Sequence, residues 1–110
     1  MEKIIVLQDV FLGKQDGHLG RKMMQGLLKV LSEREWQPKA IFLLGESVRL
    51  CTDEFPVIPH LQALTAQGVE ILTCRAASEE LNLGEKLKVG KIASTGKLIE
   101  LMADYEVISL

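Results

Sequence analysis

The first sustained hydrophobic run is Ile4-Ile-Val-Leu7, continuous rather than alternating and rich in β-branched residues. Such a run predicts a strand buried on both faces, as in a parallel sheet. A loop from Val10 to Gly17 follows, and then the period changes. Leu19, Met23, Leu27 and Leu31 recur every four residues, with Met24, Leu28 and Val30 beside them. Arg21, Lys22, Gln25, Lys29, Ser32 and Glu33 fall largely on the outer side. This predicts an amphipathic helix from His18, with Met23 and Met24 filling the core. Trp36-Gln-Pro38 ends it, because the residue before proline resists helical torsions.

Lys39 to Leu44 reads as a second buried strand, stopped by Gly45, and Glu46 to Thr52 as a connection without clear period. Pro56 and Pro59 bracket the opening of a helix with Val57, Ile58, Leu61 and Leu64 inside and Gly68 as its C-cap. Val69 to Thr73 predicts a third strand and Ala76 to Leu81 a short helix. Leu83 to Ser94 reads as a loop or short extra strand. Thr95 is expected to cap a last helix through Asp104, and Val107 to Leu110 to close as a final strand.

Alternating apolar strands and amphipathic helices predict an α/β fold, a three-layer α/β/α arrangement on a mostly parallel sheet of four or five strands. The 110 residues fit one domain, 1–110, and 47% hydrophobic with 25% charged residues is an ordinary globular mix. A net charge of −2 with no basic run argues against nucleic-acid or anionic-membrane partners. The opening MEKIIVLQDV lacks the features of a signal peptide, and no apolar run reaches membrane-spanning length. A cytoplasmic location with reduced thiols is therefore expected.

In open sheets of this kind, ligands bind outside the carboxyl ends of the strands. Four places meet that description: Gln8 to Gly17, Gly45 to Cys51, Cys74 to Ser78 and the end of the last strand, and the first three form the candidate site. Cys74 leads, because it follows a strand and precedes a helix whose free amides favour a thiolate, with Arg75 adding positive charge. Its other reading is a small hydrophobe filling the core. Cys51 reads as incidental. The loop Leu12-Gly-Lys-Gln-Asp-Gly-His-Leu-Gly20 lacks the Ser or Thr that a Walker loop needs after Gly-Lys. It is either an anion cradle leading into a helix start or a flexible turn. His18 opens that helix and is a candidate for proton transfer. No Cys/His spacing matches a zinc site, and neither metal nor cofactor is expected.

Three stretches carry a family resemblance: Gly13-Lys-Gln-Asp-Gly-His-Leu-Gly-Arg21, Ser47-Val-Arg-Leu50, and Gly68-Val-Glu-Ile-Leu-Thr-Cys74 continuing to Leu87-Lys-Val-Gly90. Together they resemble the DsrE/DsrF-like family, and within it the C-terminal domain of the YedF sulfurtransferase-like selenium metabolism proteins. The resemblance implies a sulfur-relay protein with Cys74 as persulfide carrier. The Ala76 helix start would stabilise the thiolate, and the Asp9 to His18 loop, with Gly13 and Asp16, would shape the pocket beside Ser47. It also implies a homo-oligomer, with Phe11, Leu12 or Phe55 in the contact, and a sulfur-carrier protein as partner. The family's second cysteine falls on Ala77. The alternative is a non-catalytic, homo-oligomeric binding module on the same fold, binding a small anion or nucleotide.

Overall fold

A computed structural model describes residues 2–110. The elements run β1 (Lys3–Leu7), α1 (His18–Ser32), β2 (Ala40–Leu43), a 3-10 helix over Gly45–Cys51, α2 (Ile58–Ala66), β3 (Glu70–Cys74) and α3 (Arg75–Glu80). A second 3-10 turn (Gly84–Lys86), β4 (Lys91–Ala93), α4 (Thr95–Asp104) and β5 (Glu106–Ser109) complete the chain. The strands lie in the order β4-β3-β2-β1-β5, and every neighbouring pair is parallel.

This order fixes the layers. From β1 to β4 the chain steps across the sheet in one direction, so right-handed crossovers put α1, α2 and α3 on one face. The return from β4 to the far edge at β5 puts α4 on the other. Side chains obey the same division. Ile5, Leu7, Ile41, Leu43 and Ile71 pack with Met24, Leu28, Leu61 and Leu64. Ile4, Val6, Phe42, Leu72 and Ala93 pack with Leu101 of α4. Strands buried on both faces are why β1 and β2 read as unbroken apolar runs.

Three expectations change in detail. The core face of α1 is Gly20, Met24, Leu28 and Leu31, whereas Leu19 is 69% exposed and Met23 44%. Gly20 sets this rotation, since a Cβ there would lie 2.9 Å from the Leu12 carbonyl oxygen and 3.1 Å from Phe11 Cβ. Only glycine lets α1 sit this close to the loop that precedes it. The cap of α4 is Ser94, not Thr95; its hydroxyl accepts from the Lys97 amide at 3.3 Å. The segment without clear period is helical and fully part of the core through Val48, Leu50 and Cys51. Gly68 ends α2 as foreseen: with φ at +96°, it lets Val69 N–H reach Leu64 C=O and its own N–H reach Thr65 C=O. That is a Schellman closure, which favours glycine.

Candidate functional site

β3 runs into α3 without a loop. Cys74 is the last strand residue and the N-cap of the helix that begins at Arg75. The amides of the first helical turn, Arg75 to Ala77, therefore have no intrahelical acceptor. Ser78, itself buried, donates its hydroxyl to the Cys74 carbonyl at 2.8 Å and fixes the backbone at the junction. Cys74 is half-buried and touches both core clusters. In register it lies beside Ala93, the residue before the Ser94 cap of α4. Two helix starts therefore flank Cys74. Arg75 and Ala76 are exposed around it. Thr73, one residue earlier, is fully buried, and its hydroxyl has no partner among the described residues.

Cys51 has the opposite surroundings. It is fully buried, and loss of hydration pushes its thiol up to about 12, so it stays protonated at neutral pH. Its carbonyl accepts from the Lys88 amide at 2.8 Å and holds down the chain leaving α3. Both cysteines are free.

The β1–α1 loop brings four more candidates near one another. Asp9 is half-buried, and its carboxylate accepts from the Val10 amide at 3.0 Å. Gly13 is exposed with φ at +96°. Asp16 takes both guanidinium hydrogen bonds of Arg21 at 2.7 Å. The Arg21 hydrogen bond holds the Asp16 carboxyl below its usual range, while Arg21 itself is raised. The guanidinium carbon also sits 5.2 Å from the centroid of the Phe55 ring. His18, exposed, is the first residue of α1. The loop closes on itself through Leu12 N–H to Gly20 C=O at 3.0 Å. The carbonyl oxygens of Leu12 and Gln15 crowd the first turn of α1 at Gly20.

Ser47 is occupied elsewhere. It is fully buried, and its hydroxyl is shared between the Leu7 and Leu44 carbonyls at 3.0 and 2.6 Å. It ties the ends of β1 and β2 together. Cys74, Arg75 and Ala76 thus form one contiguous group, Asp9 to His18 another, and Ser47 lies beneath the surface. Phe11, Leu12 and Phe55, expected at a contact between copies, pack as half-buried side chains on the larger core cluster. Ser78 and Ser94 escaped the sequence reading. The signal was there for Ser94, a serine three residues before a helical amide it can cap. Among the described residues, no group of three or more His, Cys, Asp or Glu is placed to hold a metal. No helix among them is long and apolar enough to cross a membrane.

The profile of the DsrE/DsrF-like family matches residues 3–110. No curated protein is a significant match to the sequence. Among solved structures, the chain is similar to the YchN protein of E. coli, at 18% identity and a TM-score of 0.74, covering 100% of both chains. It is similar to a protein of unknown function, MTH1491 from Methanobacterium thermoautotrophicum, at 14% identity and a TM-score of 0.68, again over 100% of both. A third likeness is to BT1422 of Bacteroides thetaiotaomicron, also of unknown function, at 17% identity and a TM-score of 0.67, covering 99% of this chain and 95% of that one. At these identities the likeness shows a shared fold.

Proposed function

The chain belongs to the DsrE/DsrF-like family, and on that premise we propose that it is a small sulfur-relay protein carrying sulfane sulfur as a persulfide on Cys74. One observation carries the reading. Cys74 is half-exposed at the cap of α3, while Cys51, the other thiol, is sealed in the core.

The chemistry needs only that group and two partners. The Cys74 thiolate attacks the outer sulfur of a donor persulfide. A new S–S bond forms to Cys74 as the donor's S–S bond breaks, and the donor sulfur leaves with the electron pair and takes up a proton. Cys74 then holds the extra sulfur. An acceptor thiolate, on a sulfur-carrier protein in this reading, attacks that outer sulfur and returns Cys74 to its thiol. No net oxidation occurs and no further reactant is needed. Ala77 stands where a second cysteine would close a local disulfide, so the extra sulfur leaves by exchange with another molecule.

Incubation with a low-molecular-weight persulfide tests this by peptide mass spectrometry. One additional sulfur is expected on the Cys74 peptide, removable by a thiol acceptor, and none after Cys74→Ser. A protein that takes up no sulfur in its native state sinks the proposal.

The second reading, a non-catalytic module on the same fold, draws on Ala77 in place of the second cysteine. It predicts a Cys74 that alkylates only on unfolding, and a melting temperature raised by millimolar phosphate or nucleotide.

A further inference from the structure

β4 is short, and the reason is Gly90. The ladder pairs Leu72 with Lys91, so a longer β4 would set Val89 opposite Glu70. Instead Gly90 takes φ at +88°, far from strand torsions, and Val89 packs on the larger core cluster. A Cβ on Gly90 would lie 3.2 Å from both the carbonyl oxygen and Cγ2 of Ile71, so the chain passes β3 this closely only as glycine. The first half of β3 is left with a bare outer edge, at the opposite end of the strand from Cys74. A pocket of about 280 Å³ opens there, lined by Gly68 to Ile71 on one side and by Gly90 and Lys91 on the other.

The bare edge carries a definite pattern. Glu70 N–H donates inward, to Lys39 C=O of the neighbouring chain segment at 3.2 Å. Successive residues of a parallel strand turn their amides and carbonyls to alternate sides, so Val69 C=O and Ile71 N–H point outward. Among the described residues neither has a backbone partner. This acceptor and this donor bracket one missing residue, whose nitrogen would donate to Val69 and whose carboxyl oxygen would accept from Ile71. Two charges flank the same gap. Glu70 and Lys91 are exposed, share the α4 face by strand alternation, and have no ion-pair partner among the described residues.

The geometry points to a binding site for a free α-amino acid in its zwitterionic form. The ligand ammonium meets Val69 C=O and the Glu70 carboxylate, and the ligand carboxylate meets Ile71 N–H and the Lys91 ammonium. A peptide continuing past its carbonyl would run into Gly90 and Lys91, where β4 takes over, so the occupant ends in a carboxylate. Glu70 beside its nitrogen favours a charged ammonium over an acylated one. These contacts are to groups that α-amino acids share, so the site selects the class rather than one side chain. It lies apart from Cys74 and does not rest on the chemistry of that thiol.

Titration of the isotope-labelled protein with millimolar L-alanine, followed by amide NMR, tests the site. Saturable shifts centred on Ile71, Gly90 and Lys91 are expected. L-Alaninamide lacks the carboxylate and N-acetyl-L-alanine the ammonium, and each is expected to bind about tenfold more weakly. Lys91→Gln and Glu70→Gln change exposed positions and are each expected to weaken alanine binding about two- to fivefold, as for exposed ion pairs, with spectra otherwise unchanged. The proposal is overturned if alanine leaves these amides unmoved, if the shifts centre elsewhere, or if both charge variants bind it as well as wild type. It is also overturned if either derivative binds as tightly as alanine; equal binding of the acetylated form would mark the edge as a seat for a peptide end instead.

Discussion

The Gly45–Cys51 segment and the Cys74–Ser78 junction both follow strands at the same end of the sheet, and both turn into helix at once. One seals its thiol and the other leaves it half open. The difference lies in how completely each is enclosed. The 3-10 helix packs into the side roofed by α1, α2 and α3, and Cys51 at its end joins that core. Cys74 is the final residue of a strand, two places after Leu72. At the carboxyl end of that strand it packs against both core clusters and is enclosed by neither. The same chemical group is inert in one position and available in the other because one lies inside a packed core and the other at the end of a strand.

The largest effect expected is a double dissociation. Cys74→Ser should abolish persulfide uptake while changing stability by no more than about 1 kcal/mol, as for most partly exposed positions. Cys51→Ser should leave uptake intact but lose about 1–3 kcal/mol, since it places a hydroxyl in an apolar pocket. Uptake that depends on Cys51, read by mass spectrometry, would remove the contrast.

Ser47→Ala should cost about 1–2 kcal/mol in denaturant unfolding, because the Leu7 and Leu44 carbonyls lose their shared donor. Persulfide loading should be untouched, since that hydroxyl faces the core. A stability loss too small to measure would mean that the strand ends do not need this tie.

Alkaline pH sharpens the comparison from another side. Burial holds the folded Cys51 thiol near 12 against an ordinary 9.0, so the unfolded chain loses its proton first. The resulting stability is whole below pH 9 and is lost as pH rises towards 12. Wild type should therefore weaken relative to Cys51→Ala over that window. Parallel curves for the two proteins would contradict a sealed thiol.

The smallest effect is expected at Asp16. Its carboxyl is lowered from 3.8 by the Arg21 hydrogen bond, so its contribution is present above that value and lost as pH falls below it. The pair is exposed and screened. Asp16→Asn should lower the melting temperature slightly at neutral pH and not at all in strong acid. A large drop would mean that the loop depends on this pair.

Sequence periodicity sufficed for β1, β2, β3 and β5 and for the existence of α1, α2 and α4, because buried parallel strands and amphipathic helices differ in period. It failed on the orientation of α1. That helix has two apolar lines, Met24–Leu28–Leu31 inside and Leu19–Met23–Val30 outside, and hydrophobicity alone cannot rank them. The residue that decides is Gly20, whose contribution is the absence of a side chain. Cys74 was legible as a strand-to-helix junction. Its degree of exposure was not, because that depends on the strand order, and nothing local in the sequence encodes that β5 returns to the far edge beside β1.

That return has a consequence for synthesis. β1 is made early, yet one of its two neighbours is β5, joined through Glu106 N–H to Glu2 C=O and Leu110 N–H to Val6 C=O. During elongation on the ribosome the flank of β1 stays bare until some hundred residues later, a nascent edge open to strands of neighbouring chains. Slowing translation shortly before Glu106 should therefore increase coaggregation, whereas stabilising the finished domain should not prevent it.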